Sequence, residues 1–267
     1  MLQKIMQNNS LETTNWIGIQ TLVKREVGRF INVYLQTIVA PVVTTVLFYI
    51  IFTLAFGENA GRGIAGVPYM EFLVPGLIMM GMAQNAFANT SSSMIIGKMQ
   101  GNIIDILMPP LSSTEILIGY VIGGVARGFL IGLVSVTVLV PFVGLTIANP
   151  LSLIVFGILG SMMLALLGTI GGMWADKFDH IAAVTNFVVM PMTFLSGTFY
   201  SLDRLSPFWQ DIAHANPFFY MIDGFRSGFI GVSDTPLMVG VAFLVTINAV
   251  LWFVAHRMLV TGYKIKS

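Results

Sequence analysis

Cysteine is absent, histidine occurs three times, and charged side chains make up only 9% of the 267 residues. Without thiols there are no disulfides, iron–sulfur clusters or thiolate zinc sites. His180, His214 and His256 stand far apart with no ligand spacing, which argues against a metal site. Soluble domains carry roughly a quarter charged residues, so this composition excludes a disordered chain and a conventional soluble enzyme. The net charge is +1, and no basic field is available to hold nucleic acid.

Hydrophobic residues make up 56% of the chain. They gather in charge-free runs from Ile31 to Gly57, Phe72 to Gly97, Gly128 to Ala175, Ile181 to Leu202 and Thr235 to Ala255. Each is long enough to cross a bilayer as helix, which takes about 20 residues. The third run is too long for one crossing, and the Asn149-Pro150 pair divides it. Six spans are expected: Tyr34 to Phe56, Phe72 to Ile96, Ile118 to Val143, Leu151 to Trp174, Ile181 to Tyr200 and Pro236 to Ala255. The fold class is therefore an all-α polytopic membrane protein in a single domain.

Basic residues orient it. Lys4, Lys24, Arg25, Arg29, Arg257, Lys264 and Lys266 flank the spans at the two ends of the chain, and Lys98, Lys177 and Arg127 fall on the same side. Only Arg62, Arg204 and Arg226 fall opposite. By the positive-inside rule both termini are cytoplasmic. The first ten residues are polar, no cleavable signal is visible, and the first span is expected to serve as its own insertion signal.

Three segments outside the spans carry pattern. Residues 14–31 read as an interfacial helix with Trp16, Ile19, Val23, Val27 and Phe30 on one arc and Lys24, Arg25 and Arg29 elsewhere. Packing on the protein's own loops is the alternative. Residues 98–115 read as a short cytoplasmic helix with Ile103, Ile106, Leu107 and Met108 on one face, stopped by Pro109 and Pro110. Ser112 and Glu115 then form a capping-box pattern. That apolar face suits a docking partner or the lipid surface equally. In residues 203–231, Ser206-Pro207 and Asn216-Pro217 each announce a helix start. The two short helices, with Phe208, Trp209, Phe218, Phe219 and Phe225 among their residues, are too apolar for a solvated loop and read as a re-entrant outer hairpin or an interfacial belt.

No catalytic constellation emerges. Gly97-Lys98 is followed by Met99, and Ser92 stands where a phosphate loop needs its first glycine, so ATP is not bound by that route. Arg127 is the one ionisable residue inside a span; its long side chain is expected to snorkel to the headgroups, with a substrate or gating role as the alternative. Glycines at 119, 123, 128 and 132, and again at 157, 160, 168 and 172, favour close helix packing. The second and fifth spans are polar by comparison. Gln84, Asn85, Asn89, Asn186, Thr193 and Ser196, with Met190 between them, are candidates for a pathway wall, although helix-to-helix glue explains any one of them as well.

Two motifs resemble the membrane subunit of ABC-2 type exporters. One is Gly101-Asn102-Ile103-Ile104-Asp105-Ile106-Leu107-Met108-Pro109, similar to the family's coupling helix. The other runs from Pro191 to Tyr200 and on through Asn216-Pro217-Phe218-Phe219-Tyr220-Met221-Ile222-Asp223-Gly224-Phe225-Arg226. The resemblance implies a permease working as a dimer in the bacterial cytoplasmic (inner) membrane, surrounded by lipid. Each copy would sit on a separately encoded ATPase that holds ATP and Mg, and the permease itself would carry no cofactor. It implies ATPase coupling through Lys98, Gly101, Asp105, Leu107 and Pro109, and an outer hairpin built on Pro207, Trp209, Pro217, Asp223 and Arg226. Many members carry an acidic residue just before the coupling glycine, where this chain has Lys98-Met99-Gln100. Apart from the resemblance, a secondary carrier or channel working alone, and a membrane scaffold without transport, remain open. The lack of carboxylates at mid-span weighs against a proton-driven carrier.

Overall fold

The computed structural model describes residues 14–56, 67–102, 104–105, 108–202 and 205–264, and every regular element among them is helical. In chain order these are α1 (Trp16–Ile31), α2 (Ala40–Phe56), α3 (Tyr69–Met99), α4 (Ser113–Val143), α5 (Pro150–Trp174), α6 (Phe178–Val184), α7 (Met190–Phe194), α8 (Pro207–Ala215), α9 (Pro217–Ile230) and α10 (Leu237–Thr261). Two π-helical turns, Leu35–Val39 and Thr185–Val189, lead into α2 and α7.

Local signals explain most of the boundaries. Asn149 caps α5 by accepting from the Leu151 and Ser152 amides, and Pro150 fills the first turn where no donor is needed. Asn216 does the same for α9 through Phe218. Ser206 precedes Pro207 in the same pattern, but its hydroxyl makes no capping bond. Ser112 and Glu115 close a complete capping box on α4. Both π turns end two residues before a proline, Pro41 and Pro191. Proline donates no hydrogen bond and its ring displaces the carbonyl four residues earlier, and widening the preceding turn relieves both problems. Pro75 and Pro141, by contrast, are carried inside α3 and α4 without a break in the helix.

Four helical stretches are long and apolar enough to cross a membrane: Leu35–Ala55, Ser113–Val143, Pro150–Trp174 and Leu237–Thr261. The other two expected crossings fall short of that measure for separate reasons. In α3 the polar run from Gln84 to Ser93 dilutes the apolar stretch. The fifth is a broken rod, α6, π turn and α7, that ends at Phe194, so residues 195–200, expected to be helical, turn back instead.

At the centre α3 and α5 pack along their whole lengths, with α4 on one side and α9 and α10 around them. Glycine sets the spacing: a Cβ at Gly172 would lie 2.9 Å from the Ser91 carbonyl oxygen, and one at Gly128 would lie 2.8 Å from that of Met82. Small residues let backbones approach this closely where lipid gives helices no hydrophobic drive to associate. The α9 helix is buried from Phe218 to Phe229, whereas Phe208 and Trp209 of α8 are exposed. The hairpin is thus one inserted helix and one outward helix. On α2 and α10 the outer faces, including Leu47, Leu54, Met238 and Phe253, are exposed, as suits helices bordering lipid.

Candidate translocation site

Helix α1 does not present the expected arc to the bilayer. Its buried residues are Ile19, Leu22, Glu26 and Phe30, while Trp16 is exposed. The reason is α4: Gly119 and Gly123 leave troughs filled by the side chains of Leu22 and Glu26. That rotation carries a carboxylate into the interior and turns Arg29 after it.

A polar cluster results. Glu26 is fully buried and accepts a 2.7 Å bond from the Ser93 hydroxyl. Arg29 pairs with it at 3.3 Å and also donates to the Asn89 carbonyl at 2.6 Å, the Asn89 side-chain oxygen at 3.0 Å and the Ser92 hydroxyl at 3.1 Å. Asn89, expected on a pathway wall, is therefore wholly buried and spent on fixing α1 to α3.

Arg127 does not snorkel. It is 8% exposed and donates to Asn85 Oδ1 at 2.9 Å, because the close approach at Gly128 draws this part of α4 against α3. Asn85 in turn donates to the Gly81 carbonyl at 2.9 Å.

Two cavities lie on the opposite side of α3. One, of about 380 Å³, is bounded by Gln36, Ala40, Pro41, Thr44, Thr45 and Phe48 from the first rod, Leu77, Met80, Gly81, Gln84 and Asn85 of α3, and Met190 and Phe194 of α7. The other, of about 340 Å³, lies between Gln84, Asn85, Ala88, Ser91 and Ser92 of α3 and Phe178, Ile181, Thr185 and Val189 of the broken rod. They share Gln84 and Asn85 and so abut at that turn, forming a furrow flanked by both π turns. The threonine hydroxyls along it bond back to their own helices, Thr44 to Ala40, Thr45 to Pro41 and Thr185 to Ile181. Gln84 Nε2 reaches only the Met190 sulfur, at 3.8 Å. Among the described residues, the Ser91 hydroxyl and the side-chain amides are thus the polar groups left to face the furrow.

Of the residues anticipated for a wall, Gln84, Asn85 and Met190 come together. Thr193 and Ser196 are buried elsewhere: Thr193 donates to the Val189 carbonyl, and Ser196 bonds the Thr193 carbonyl and the Thr198 hydroxyl. Asn186 is exposed on the rod's outer surface.

On the loop side, Gly101 adopts φ +73°, which a glycine accommodates without strain. Asp105 is exposed and, with Pro109 and Leu111, borders a groove of about 330 Å³ whose other wall is Asn15, Ile17, Gly18, Thr21, Leu22 and Arg25 of the α1 region. Glu115 bolts the two walls together, accepting from the Ser112 amide at 2.7 Å and the Asn15 amide at 2.6 Å. Burial pushes the Glu115 carboxyl up, but these bonds outweigh it and leave it below the usual carboxylate range. Ile103, Ile106 and Leu107 lie outside the described residues; Ile104 and Met108 are exposed. Lys98 faces inward, donating to the Met173 and Ala175 carbonyls at 2.8 and 2.6 Å, where a cation suits the C-terminal end of α5. Lys264 meets Asp176 at 2.8 Å beside it. Their hydrogen bond lowers the Asp176 pKa and raises that of Lys264.

In the hairpin, Arg226 is buried with its guanidinium 3.5 Å from the Phe72 ring centroid, donating to Gly197 O at 2.9 Å. Asp223 accepts from the Asp234 and Thr235 amides and the Thr235 hydroxyl, closing the loop before α10. Pro217 starts the inserted helix, and Pro207 and Trp209 lie on the outward one.

Glu26, Arg29 and the Arg127–Asn85 pair were missed by sequence reasoning. For Glu26 a signal existed: it falls in step with Ile19, Leu22 and Phe30 on an apolar stripe.

Residues 18–230 match the ABC-2 type transporter family. The chain is 39% identical over 246 residues to the inner membrane transport permease YadH of Escherichia coli K12, covering 91% of this chain and 96% of that protein. It is 28% identical over 197 residues to nodulation protein J of Rhizobium leguminosarum bv. viciae, covering 70% and 75%.

Proposed function

The chain belongs to the ABC-2 type transporter family, and from that premise we propose that it is the permease subunit of an ATP-driven exporter in the bacterial inner membrane. It works as a dimer and couples to a separate ATPase that binds ATP and Mg. The observation that carries this reading is the groove between α1 and the 98–115 loop. Its walls are locked by Glu115, its lining residue Ile17 and the neighbouring loop residues Ile104 and Met108 are exposed, and it opens on the side that basic residues assign to the cytoplasm. A partner seated there pushes on α1 and on the start of α4 together. The rod of α6 and α7 serves as the fifth of six crossings, with both termini inside. The furrow along α3 is one half of the route, completed by the second copy. No carboxylate lines the furrow among the described residues, which favours work supplied from outside the chain over a proton-carrying cycle.

The test is reconstitution with the cognate ATPase. The purified chain alone hydrolyses no ATP. Gly101→Pro, which forbids the positive φ, and Asp105→Lys leave the ATPase assembled but lower transport per ATP hydrolysed at least tenfold. Wild-type transport in both variants would remove the loop from the coupling path.

A further inference from the structure

Among the described residues, Arg127 is a buried cation without a counter-ion. The ion pairs among the described residues are Arg29 with Glu26 and Asp176 with Lys98 and Lys264, and Arg127 takes part in none of them. Its Nη2 donates to Asn85, and its Nε is buried without a partner. Glu26, the buried carboxylate on α1, is already paired with Arg29 and leaves Arg127 uncompensated. An uncompensated charge inside a low-dielectric protein is costly and is retained where something completes it. The side chain that accepts from Arg127, Asn85, lines both halves of the furrow.

The furrow itself is matched to a particular kind of molecule. Leu77, Met80, Phe48 and Phe194 give it apolar walls, while Gln84 offers an amide donor whose partner is only a thioether. Asn85 has its oxygen turned to Arg127, leaving its amide hydrogens for Gly81 and the cavity. Donors in front and an unbalanced positive charge behind favour an anion, and apolar walls favour a chain attached to it.

We propose that the furrow binds an amphiphile with an anionic headgroup, such as a phosphate ester, held at Gln84 and Asn85 with Arg127 supplying the compensating charge. This rests on the reading of the furrow as a transport route, but binding needs no ATPase, so failure here and failure of coupling are told apart.

The experiment is native mass spectrometry of the purified full chain in a neutral maltoside detergent, titrated with dioleoyl phosphatidic acid, dioleoyl phosphatidylcholine or inorganic phosphate. Wild type is expected to bind phosphatidic acid at least tenfold more tightly than phosphatidylcholine, and inorganic phosphate negligibly. Arg127→Gln keeps a donor toward Asn85 but loses the charge, and should abolish that tenfold preference; Arg127→Lys should keep most of it. Gln84→Leu leaves Arg127 in place and should weaken phosphatidic acid binding at least threefold, which provides a readout should the Arg127 variants fold poorly. An unchanged preference in Arg127→Gln or unchanged binding in Gln84→Leu would overturn the assignment. So would inorganic phosphate binding as well as the lipid, or a preference lost only on Lys24→Gln with Arg25→Gln, which would place the lipid at the exposed face of α1.

Discussion

Replacing Arg29 with Met strands Glu26. The Glu26 carboxylate has no solvent exposure, and its partners are the Ser93 hydroxyl at 2.7 Å and the Arg29 guanidinium at 3.3 Å. Arg29→Met also removes the donors to both Asn89 oxygens and to Ser92. Breaking a buried pair by removing one partner costs about 3–5 kcal/mol. The Arg29 side chain is 30% exposed, so water reaches part of the site, and screening brings the expected loss down to about 2–3 kcal/mol. At roughly 2–4 °C per kcal/mol for a chain of this size, the melting temperature falls by about 4–12 °C. Adding Glu26→Gln removes the stranded charge while keeping an acceptor for Ser93. The double variant should therefore recover at least half of the loss, giving a coupling energy of about 1–2 kcal/mol in a double-mutant cycle. The assay is thermal unfolding of all four proteins in one detergent, followed by intrinsic fluorescence and a thiol-free aggregation readout. A melting temperature for Arg29→Met within about 1 °C of wild type would refute the reasoning, as would strict additivity of the two substitutions.

Two glycines inside helices, Gly168 of α5 and Gly28 of α1, should respond with opposite sign. Gly168→Ala places a Cβ 2.5 Å from the Phe87 carbonyl oxygen and should cost about 1–3 kcal/mol, whereas Gly28→Ala meets nothing within 4 Å and should gain about 0.5–1 kcal/mol from helix propensity; melting temperatures in a common detergent decide it. Because the Glu115 carboxyl is held below the usual range, its contribution is present above the unfolded value of about 4.3 and is lost as pH falls through the lower folded value. Glu115→Gln should therefore flatten the fall in melting temperature on acidification below about pH 4.5, and an identical slope in the variant would contradict the assignment.

How much of this was legible in the sequence depended on range. Asn149-Pro150, Asn216-Pro217 and Ser112 with Glu115 announced helix starts because a cap is satisfied within three residues of itself. The spacing of Gly119, Gly123, Gly128 and Gly132 announced close packing for a similar reason, but not the partners: two face α1 and two face Met82 of α3. Which polar residues line a cavity was far less legible. Asn85 and Asn89 lie one helical turn apart, yet Asn85 faces the furrow and Asn89 is consumed by Arg29. That choice is made by the rotation of α1 on α4, which brings Arg29 onto Asn89 from 60 residues away. Arg127 was misjudged on the same ground: snorkelling is favoured only when water is the nearest partner, and here Asn85 is nearer. The helix expected as a fifth crossing ended early because Pro191 widens one turn and the chain reverses after Phe194, a packing outcome pinned by Asn216 donating to the Met192 carbonyl at 2.7 Å.

These contacts join into one route. The groove between α1 and the 98–115 loop is tied by Glu115 to the start of α4 and, through Asn15, to α1; α1 is tied by Glu26 and Arg29 to Asn89, Ser92 and Ser93 of α3; and Ser92 borders the furrow. Contiguity alone does not transmit work; some element on the route must have a second arrangement available. The α3–α5 contact is a poor choice for that element. Gly168 and Gly172 hold backbone carbonyls of α3 against α5, and Thr90 crosses to the Ala165 carbonyl at 2.8 Å, so sliding loses close packing and a buried hydrogen bond together. The rods on either side of the furrow differ. Both carry a π turn ahead of a proline and pack sparsely on the centre, so either turn changes register at the cost of few contacts. Under the coupling proposed above, a push delivered through α1 would be resisted by the glycine-locked pair and would yield at Leu35–Val39 and Thr185–Val189, the two segments that border the furrow.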